Sequence, residues 1–573
     1  HPYSWTTIGS MEDLDAASLE DVQEWFKTYY GPNNAVLALA GDIDLETARE
    51  KVKKYFGDIP AGPPLVKPDI WIAKRSEEKR DIMYDNVPQA RIYKAWNVPP
   101  RDTEAAAHFD LASSVLVGGK NSPLFKELVY EKQIATSVSA FYYDREIAGM
   151  FIIVVDVVAG QDPKMVEKEM DTVLQTFTQK GPNKKLLEAE KTKTLASFIR
   201  GAQRIGGFGG KSDLLATCQT YTGNPGCYIN NARYIDESTP AKIKSTFIKW
   251  IDDTPYVLTI LPSEKLATNK STIDRSEGIP YPTEKISFKF PSLQTAKLSN
   301  GAKVVLAERK NIPLVEMNIQ FDFGYAQEDA DQIGYTNFMM DMLNEGTKKY
   351  SSLEFDEVLD SLGANMGFGS DLDTSYVSIS SLKSNLDKTL DLAKEAIMFP
   401  TFPETEIARI KNQTLAALKR AEFQPSSIAF RNIGNLLYGE DHPYGKLRIG
   451  SGPTQTIESI DNKKLSEIHK LALNPNHLTF TVAGDISLNE IVKLLESKFG
   501  KWKVESDTEL KNLPTVALPE KRKVYLINKP NAEQSYIVAG QLLPPSATPE
   551  EFKIDYMNYA IGGSFTSRLN MNL

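Results

Sequence analysis

Pro-Asn-Asn-Ala-Val-Leu-Ala-Leu-Ala-Gly-Asp at 32–42 and Pro-Asn-His-Leu-Thr-Phe-Thr-Val-Ala-Gly-Asp at 475–485 are two copies of one pattern. In both, the glycine stands nine positions after the proline, and a phenylalanine, Phe56 or Phe499, stands fifteen positions after that glycine. The likeness extends upstream, where His1-Pro2-Tyr3 and Ile8-Gly9 return as His442-Pro443-Tyr444 and Ile449-Gly450. A second unit interleaves with the first: Val98-Pro99-Pro100, Gly118-Gly119, Ser122 and Leu124 return as Leu543-Pro544-Pro545, Gly562-Gly563, Ser567 and Leu569. The order is A-B-A-B. His1 already lies inside unit A and Leu573 falls inside the second unit B, so the expectation is an interior fragment of a longer protein.

Local chemistry assigns the elements of each unit. In unit A, Ser18-Leu19-Glu20-Asp21 forms a capping box that opens a helix to Tyr30, and Gly31-Pro32 breaks it. Ala35–Ala40 carries no polar side chain and predicts a strand buried in the middle of a sheet. Asp44 caps a helix over 45–56, closed by Gly57. In unit B an alternating stretch at 90–96 precedes Pro99-Pro100, a helix over 103–117, an apolar strand over 151–158 and helical patterns at 163–178 and 185–199. Strands and helices mix without a dinucleotide-binding glycine fingerprint, which predicts α+β layers with mixed or antiparallel sheets. Residues 1–60 are expected to superpose on 442–503, and 90–128 on 533–573. A polar stretch carrying Pro280 and Pro282 reads as a linker between two halves.

Composition narrows the class. With 573 residues, 41% of them hydrophobic, the chain can fill several cores. Its 66 basic and 75 acidic residues give a net charge of -9, against nucleic acid as a partner and against a polybasic membrane anchor. No run of about eighteen apolar residues is present to span a bilayer. Cys218 and Cys227 are the only cysteines, too few for a zinc site by themselves; they read as two thiols or as a disulfide across a Gly/Pro turn. None of His1, His108, His442, His469 and His477 has a histidine partner at metal-binding spacing. His1 and His442 are duplicates, which favours a shared structural job over an N-terminal copper site. Gly206–Lys211 is glycine-rich but lacks the phosphate-loop spacing.

The motifs in this order resemble the insulinase/pitrilysin family of zinc metallopeptidases, the inverzincins. The resemblance rests on His1-Pro2-Tyr3-Ser4-Trp5, Pro32-Asn33-Asn34, Ala40-Gly41-Asp42 and Leu298–Leu306, and it runs over nearly the whole chain. It implies tandem two-layer α/β domains of the metallohydrolase, processing-peptidase type, in two halves closing like a clamshell on a peptide. The expected organisation is 1–75 as the end of a catalytic-type first domain, 76–262 as the second domain and 263–294 as the linker. Residues 295–510 form the third domain, and 511–573 the start of a fourth.

Catalysis in the family uses an H-x-x-E-H helix, two histidines for zinc and a glutamate that activates water, with a distal glutamate as third ligand. The third domain keeps that frame at Gly334–Thr347, but Asn337, Met340 and Asp341 stand where His, Glu and His belong. Leu415-Ala416-Ala417 occupies the region of the third ligand. The resemblance therefore implies a degenerate third domain, with zinc bound in the parent protein and none by this chain. In the fourth domain Gly562, Gly563 and Arg568 match the start of a substrate-contacting segment, and Val129 stands in the second domain where the family has an arginine. The implied function is part of a metalloendopeptidase acting on peptides in an enclosed chamber; the alternative is a non-catalytic substrate-binding or scaffold subunit. Peptides and a dimeric or paired family subunit are the implied partners, and the bacterial periplasm or cell envelope the implied location.

Overall fold

Two mixed sheets, each with helices packed against it, organise the chain. The computed structural model describes residues 1–573 except 68, 86, 252–253, 263–291, 311, 446–450, 505–508, 519–520, 531, 533–534, 565 and 573. The expected linker therefore lies outside the described residues, apart from its last three positions.

The first sheet contains β1 (Lys79–Asp85), β2 (Arg91–Val98), β3 (Ala135–Tyr143), β4 (Gly149–Val157) and β5 (Tyr256–Pro262), in the order β1-β5-β2-β4-β3. Only β1 and β5 run parallel. Alternation dictates which side is covered: on β2, Ile92, Trp96 and Val98 point inward, while Arg91 stays outside and pairs with Asp156 across the ladder at 2.6 Å. The inward face packs on helix α1 (Glu104–Val117), where Phe109 meets Phe151 and Phe247 with ring centres 5.4 and 5.2 Å away. Helix α2 (Lys184–Gly201) leaves this domain toward the second sheet.

The second sheet repeats the design. Its strands β6 (Gln294–Lys297), β7 (Lys303–Glu308), β8 (Leu314–Phe321), β9 (Asn365–Ser370), β10 (Ser375–Leu382) and β11 (Leu478–Gly484) lie in the order β6-β7-β11-β8-β10-β9. Again one pair, β7 and β11, is parallel. Phe321, Phe355, Phe480 and Phe499 are fully buried in its core. Helices α3 (Tyr335–Asp341), α4 (Ser352–Ser361) and α5 (Glu404–Ala421) belong to this domain.

The duplication is visible in atomic detail. His1 accepts a hydrogen bond from the Tyr3 backbone N–H at Nδ1 and donates from Nε2 to the carbonyl of Trp71, 2.9 Å away. His442 makes the same pair, from the Tyr444 N–H and to the carbonyl of Pro514, also at 2.9 Å. Each histidine is a clasp between its own turn and a segment some seventy residues on. An amide N–H can only donate and a carbonyl can only accept, so both rings carry their proton on Nε2.

Two expectations are corrected. Ala35–Ala40 is not a strand: it has no ladder partner among the described residues, and Leu37 is 55% exposed. Its repeat, β11, is held between β7 and β8, so the same apolar pattern becomes strand only where neighbours supply hydrogen bonds on both edges. The helices Leu19–Tyr29, opened by the Ser18 capping box, and Leu45–Phe56 have counterparts at Asn462–Ala472 and Leu488–Phe499, so the two segments share these helices and differ at the strand. Likewise the described residues of 533–545 form no strand corresponding to β2, and Ile537 is 88% exposed. Phe109→Ala should therefore cost about 3–5 kcal/mol in chemical denaturation, while Leu37→Ala should stay within about 0.5 kcal/mol. Equal losses would place 35–40 in a core and contradict the assignment.

Candidate functional site

The helix that carries the degenerate motif is fixed at its N-terminus. Buried Glu328 accepts hydrogen bonds from the N–H groups of Gly334 and Thr336, at 2.9 and 2.6 Å, so a carboxylate satisfies the start of α3. Gly334 has φ +97 and a Cβ there would lie 2.9 Å from the Gly452 nitrogen, which leaves room for glycine alone.

On this helix the residues at the motif positions do other work. Met340 is fully buried in the core of the second sheet and Asn337 is half-buried. Asp341 keeps solvent contact; the protein packed around it, and then the negative charge of Glu345, push its carboxyl up to about 6. The third-ligand region, Leu415 and Ala416 on α5, presents methyl and isobutyl groups. One amide, one carboxylate and a core thioether do not make a zinc site, and no cluster of three metal-ligating side chains occurs among the described residues.

What stands one turn beyond Asp341 is an ion-pair network that sequence reading missed. Glu345, 4% exposed, receives the Arg409 guanidinium at 2.5 Å, the Lys120 ammonium at 2.8 Å and the Ser352 hydroxyl at 2.7 Å. Arg409 also binds Glu406 at 2.8 Å, and Glu406 accepts from the Tyr130 hydroxyl at 2.5 Å. Two cations face two carboxylates, so the buried cluster is neutral. Burial alone would raise the Glu345 carboxyl; Lys120 and Arg409 outweigh it and hold the group below its ordinary value of 4.5. Burial, followed by the bond to Glu406, raises the Tyr130 phenol.

Lys120 and Tyr130 come from the first-sheet domain, Glu345, Glu406 and Arg409 from the second, so the network is the joint between them. Further bonds line the same joint: Lys120 N–H to Asp356 at 2.8 Å, Asn121 to the Leu353 carbonyl at 2.8 Å, Lys193 to Asp360 at 2.5 Å and Arg200 to the Gly363 carbonyl at 2.7 Å. Lys185 pairs with Glu357. At Gly119 a Cβ would lie 2.6 Å from the Asp356 carboxylate, so glycine suits this close approach.

Beside this joint a cavity of about 440 Å³ opens between the domains. Val129 faces it from the first-sheet domain, and Leu415 and Ala416 face it from α5. The structure thus brings together two of the altered positions singled out in the sequence. Gly562, Gly563 and Arg568 are elsewhere: the glycines close an exposed turn at Tyr559–Gly563 and Arg568 opens a short exposed helix, none of them lining the cavity. Cys218 and Cys227 form a disulfide with Cα atoms 5.3 Å apart, in the first-sheet domain.

The family profile described as the peptidase M16 inactive domain matches residues 16–194 and 459–573, and the insulinase (peptidase family M16) profile matches 303–447. An uncharacterized zinc protease YmxG of Bacillus subtilis is 24% identical over 271 residues, 47% of this chain and 64% of that protein. The non-peptidase homolog YmxG of Helicobacter pylori is 23% identical over 290 residues, 49% of this chain and 65% of that protein. The rat mitochondrial-processing peptidase subunit beta is 23% identical over 210 residues, 37% of this chain and 42% of that protein. The chain therefore spans less than two thirds of the length of each of these relatives.

Glu345→Ala should lower stability by about 3–5 kcal/mol, read from the calorimetric transition of the second-sheet domain, because it strands Lys120 and part of the charge of Arg409. The pH dependence has a definite sign. Glu345 is depressed in the fold, so its contribution is present above 4.5 and lost as pH falls below that value. Asp360 acts oppositely: burial lifts it from 3.8 to about 6 against the pull of Lys193, so its ionisation lowers stability as pH rises through that window. Asp360→Asn should flatten thermal stability between pH 4 and 6, and an unchanged slope there would contradict the assignment.

Proposed function

The chain belongs to the insulinase (M16) family of peptidases, and from that premise we propose that it is the peptide-holding framework of a zinc-dependent metalloendopeptidase that degrades peptides in an enclosed chamber. In this reading 295–510 is a non-catalytic copy of the catalytic domain, retained for architecture, and the parent protein carries zinc in another copy. One observation carries the reading. The second-sheet domain keeps the motif helix and its partner α5 in a packed fold, while an amide, a core methionine and the apolar Leu415 and Ala416 stand at positions that metal chemistry would need.

The same reading assigns 76–262 to the second domain and 511–573 to the start of a fourth, with Gly562, Gly563 and Arg568 held for substrate contact. The Cys218–Cys227 disulfide supports an oxidising compartment such as the periplasm or cell envelope. The likeness to a subunit of a mitochondrial processing peptidase supports pairing with a second family chain. The non-peptidase homolog among the relatives favours a second reading, in which the parent binds peptides or scaffolds a complex without cutting.

Zinc content and cleavage of a fluorogenic peptide decide between these, measured on residues 1–573 and on the parent polypeptide. The short chain should hold no stoichiometric zinc and show no chelator-sensitive cleavage; the parent should show both. Chelator-sensitive cleavage by 1–573 would overturn the non-catalytic assignment, and a parent that binds peptide without cleaving it would establish the second reading.

A further inference from the structure

The cavity between the two domains is bordered by an unusual run of irregular backbone. Lys126–Glu131 is a π-helical turn, Gln133 takes φ +50, and a bulge at Ala135/Ser137 pushes Thr136 out of the register of β3. Each departs from the cheapest backbone geometry, and such departures concentrate at binding sites because only surrounding structure can hold them. Here all three lie within about a dozen residues, and Val129, Gln133 and Thr136 from this run all line the one cavity.

The charge of the lining is one-sided. Arg409 is neutralised by Glu345 and Glu406. Lys419 and Arg420, on the same helix and on the cavity wall, form no ion pair among the described residues. No carboxylate is among the lining residues. The same lining includes the apolar side chains of Val129, Val158 and Leu415 and the amides of Gln133 and Asn412. Apolar walls with a few polar groups and uncompensated charge describe a ligand site, and the volume lies in the usual range for one.

We propose that this cleft binds an acidic peptide segment: its carboxylate held by Lys419 and Arg420, its apolar side chains against Val129, Val158 and Leu415, and its backbone hydrogen-bonded by Gln133 and Asn412. The proposal rests on the peptide-holding reading and deepens it by naming the charge of the peptide and the residues that meet it; it does not require the parent protein to cut anything. It also gives the degenerate domain a task. Where a catalytic cleft would present a metal to the peptide, this one presents two cations. A polyanion such as nucleic acid is disfavoured, because the cations are only two and the chain as a whole carries -9.

The test is fluorescence anisotropy of residues 1–573 with a labelled apolar hexapeptide containing two glutamates, prepared with a free and with an amidated C-terminus, and a counterpart with lysine for glutamate. The acidic peptides should bind, and the lysine version should bind at least about tenfold more weakly. Equal binding of the free and amidated forms assigns the side-chain carboxylates, and a preference for the free form assigns the terminus; both are carboxylate recognition. Lys419→Gln/Arg420→Gln should weaken the acidic peptide by at least about tenfold. Leu415→Trp, which fills the cavity without altering charge, should do the same, with calorimetry checking that each variant is folded. The proposal is overturned if no peptide binds at millimolar concentration, if charge on the peptide makes no difference, or if neither folded variant weakens binding. Displacement of the peptide by inorganic phosphate at micromolar concentration would also overturn it, by making the cleft a phosphate site.

Discussion

A single buried carboxylate, Glu345, holds the two described domains in register. It sits one helical turn past Asp341 and receives one cation from its own domain and one from the other. A carboxylate this deeply buried is tolerable only when its charge is met, because removing an ion from water costs several kcal/mol that the partners must offset. The consequence is geometric as much as energetic. Lys120 reaches Glu345 only because the Gly118-Gly119 turn lets the backbone close on Asp356, and Arg409 is held by Glu406, which Tyr130 in turn fixes. Remove the carboxylate and Lys120 loses its buried partner across the joint, leaving the contacts at Asp356, Asp360 and Glu406 to hold the approach.

Beside Glu345, the helix that carries the altered motif is given over to packing. In the frame of the motif helix, a core methionine and a half-buried asparagine turn the side that would meet zinc into packing, and the charge that remains nearby serves the joint. The cleft of about 440 Å³ is lined by Val129 from one domain and by Leu415 and Ala416 from the other. It is lined with amides and with Lys419 and Arg420, which form no ion pair among the described residues.

Much of this was legible in the chain. The alternation of β2, the apolar run of β4, the capping box at Ser18 and the helices flanking them follow from periodicity and local hydrogen bonding, and their positions agree with the reading within a residue or two. The altered motif at Asn337, Met340 and Asp341 was legible because ligand chemistry is a matter of residue type. Ala35–Ala40 was misread for a physical reason: its composition is right for a central strand, but a strand is defined by partners, and local sequence cannot supply them. The ion-pair network was invisible for a related reason. Lys120, Glu345 and Arg409 are far apart in sequence, each is an ordinary charged residue among the 141 in the chain, and nothing in their immediate neighbours marks them for burial.

The claim that rests most on this structure is that Lys120 and Glu345 act as a pair across the domain joint. A double-mutant cycle with Lys120→Met and Glu345→Gln, read by thermal unfolding of residues 1–573, measures that directly. The structure predicts a coupling of at least about 1 kcal/mol between the two substitutions. Additive losses, with no coupling, would mean that the two domains do not meet at Glu345 and would contradict the account.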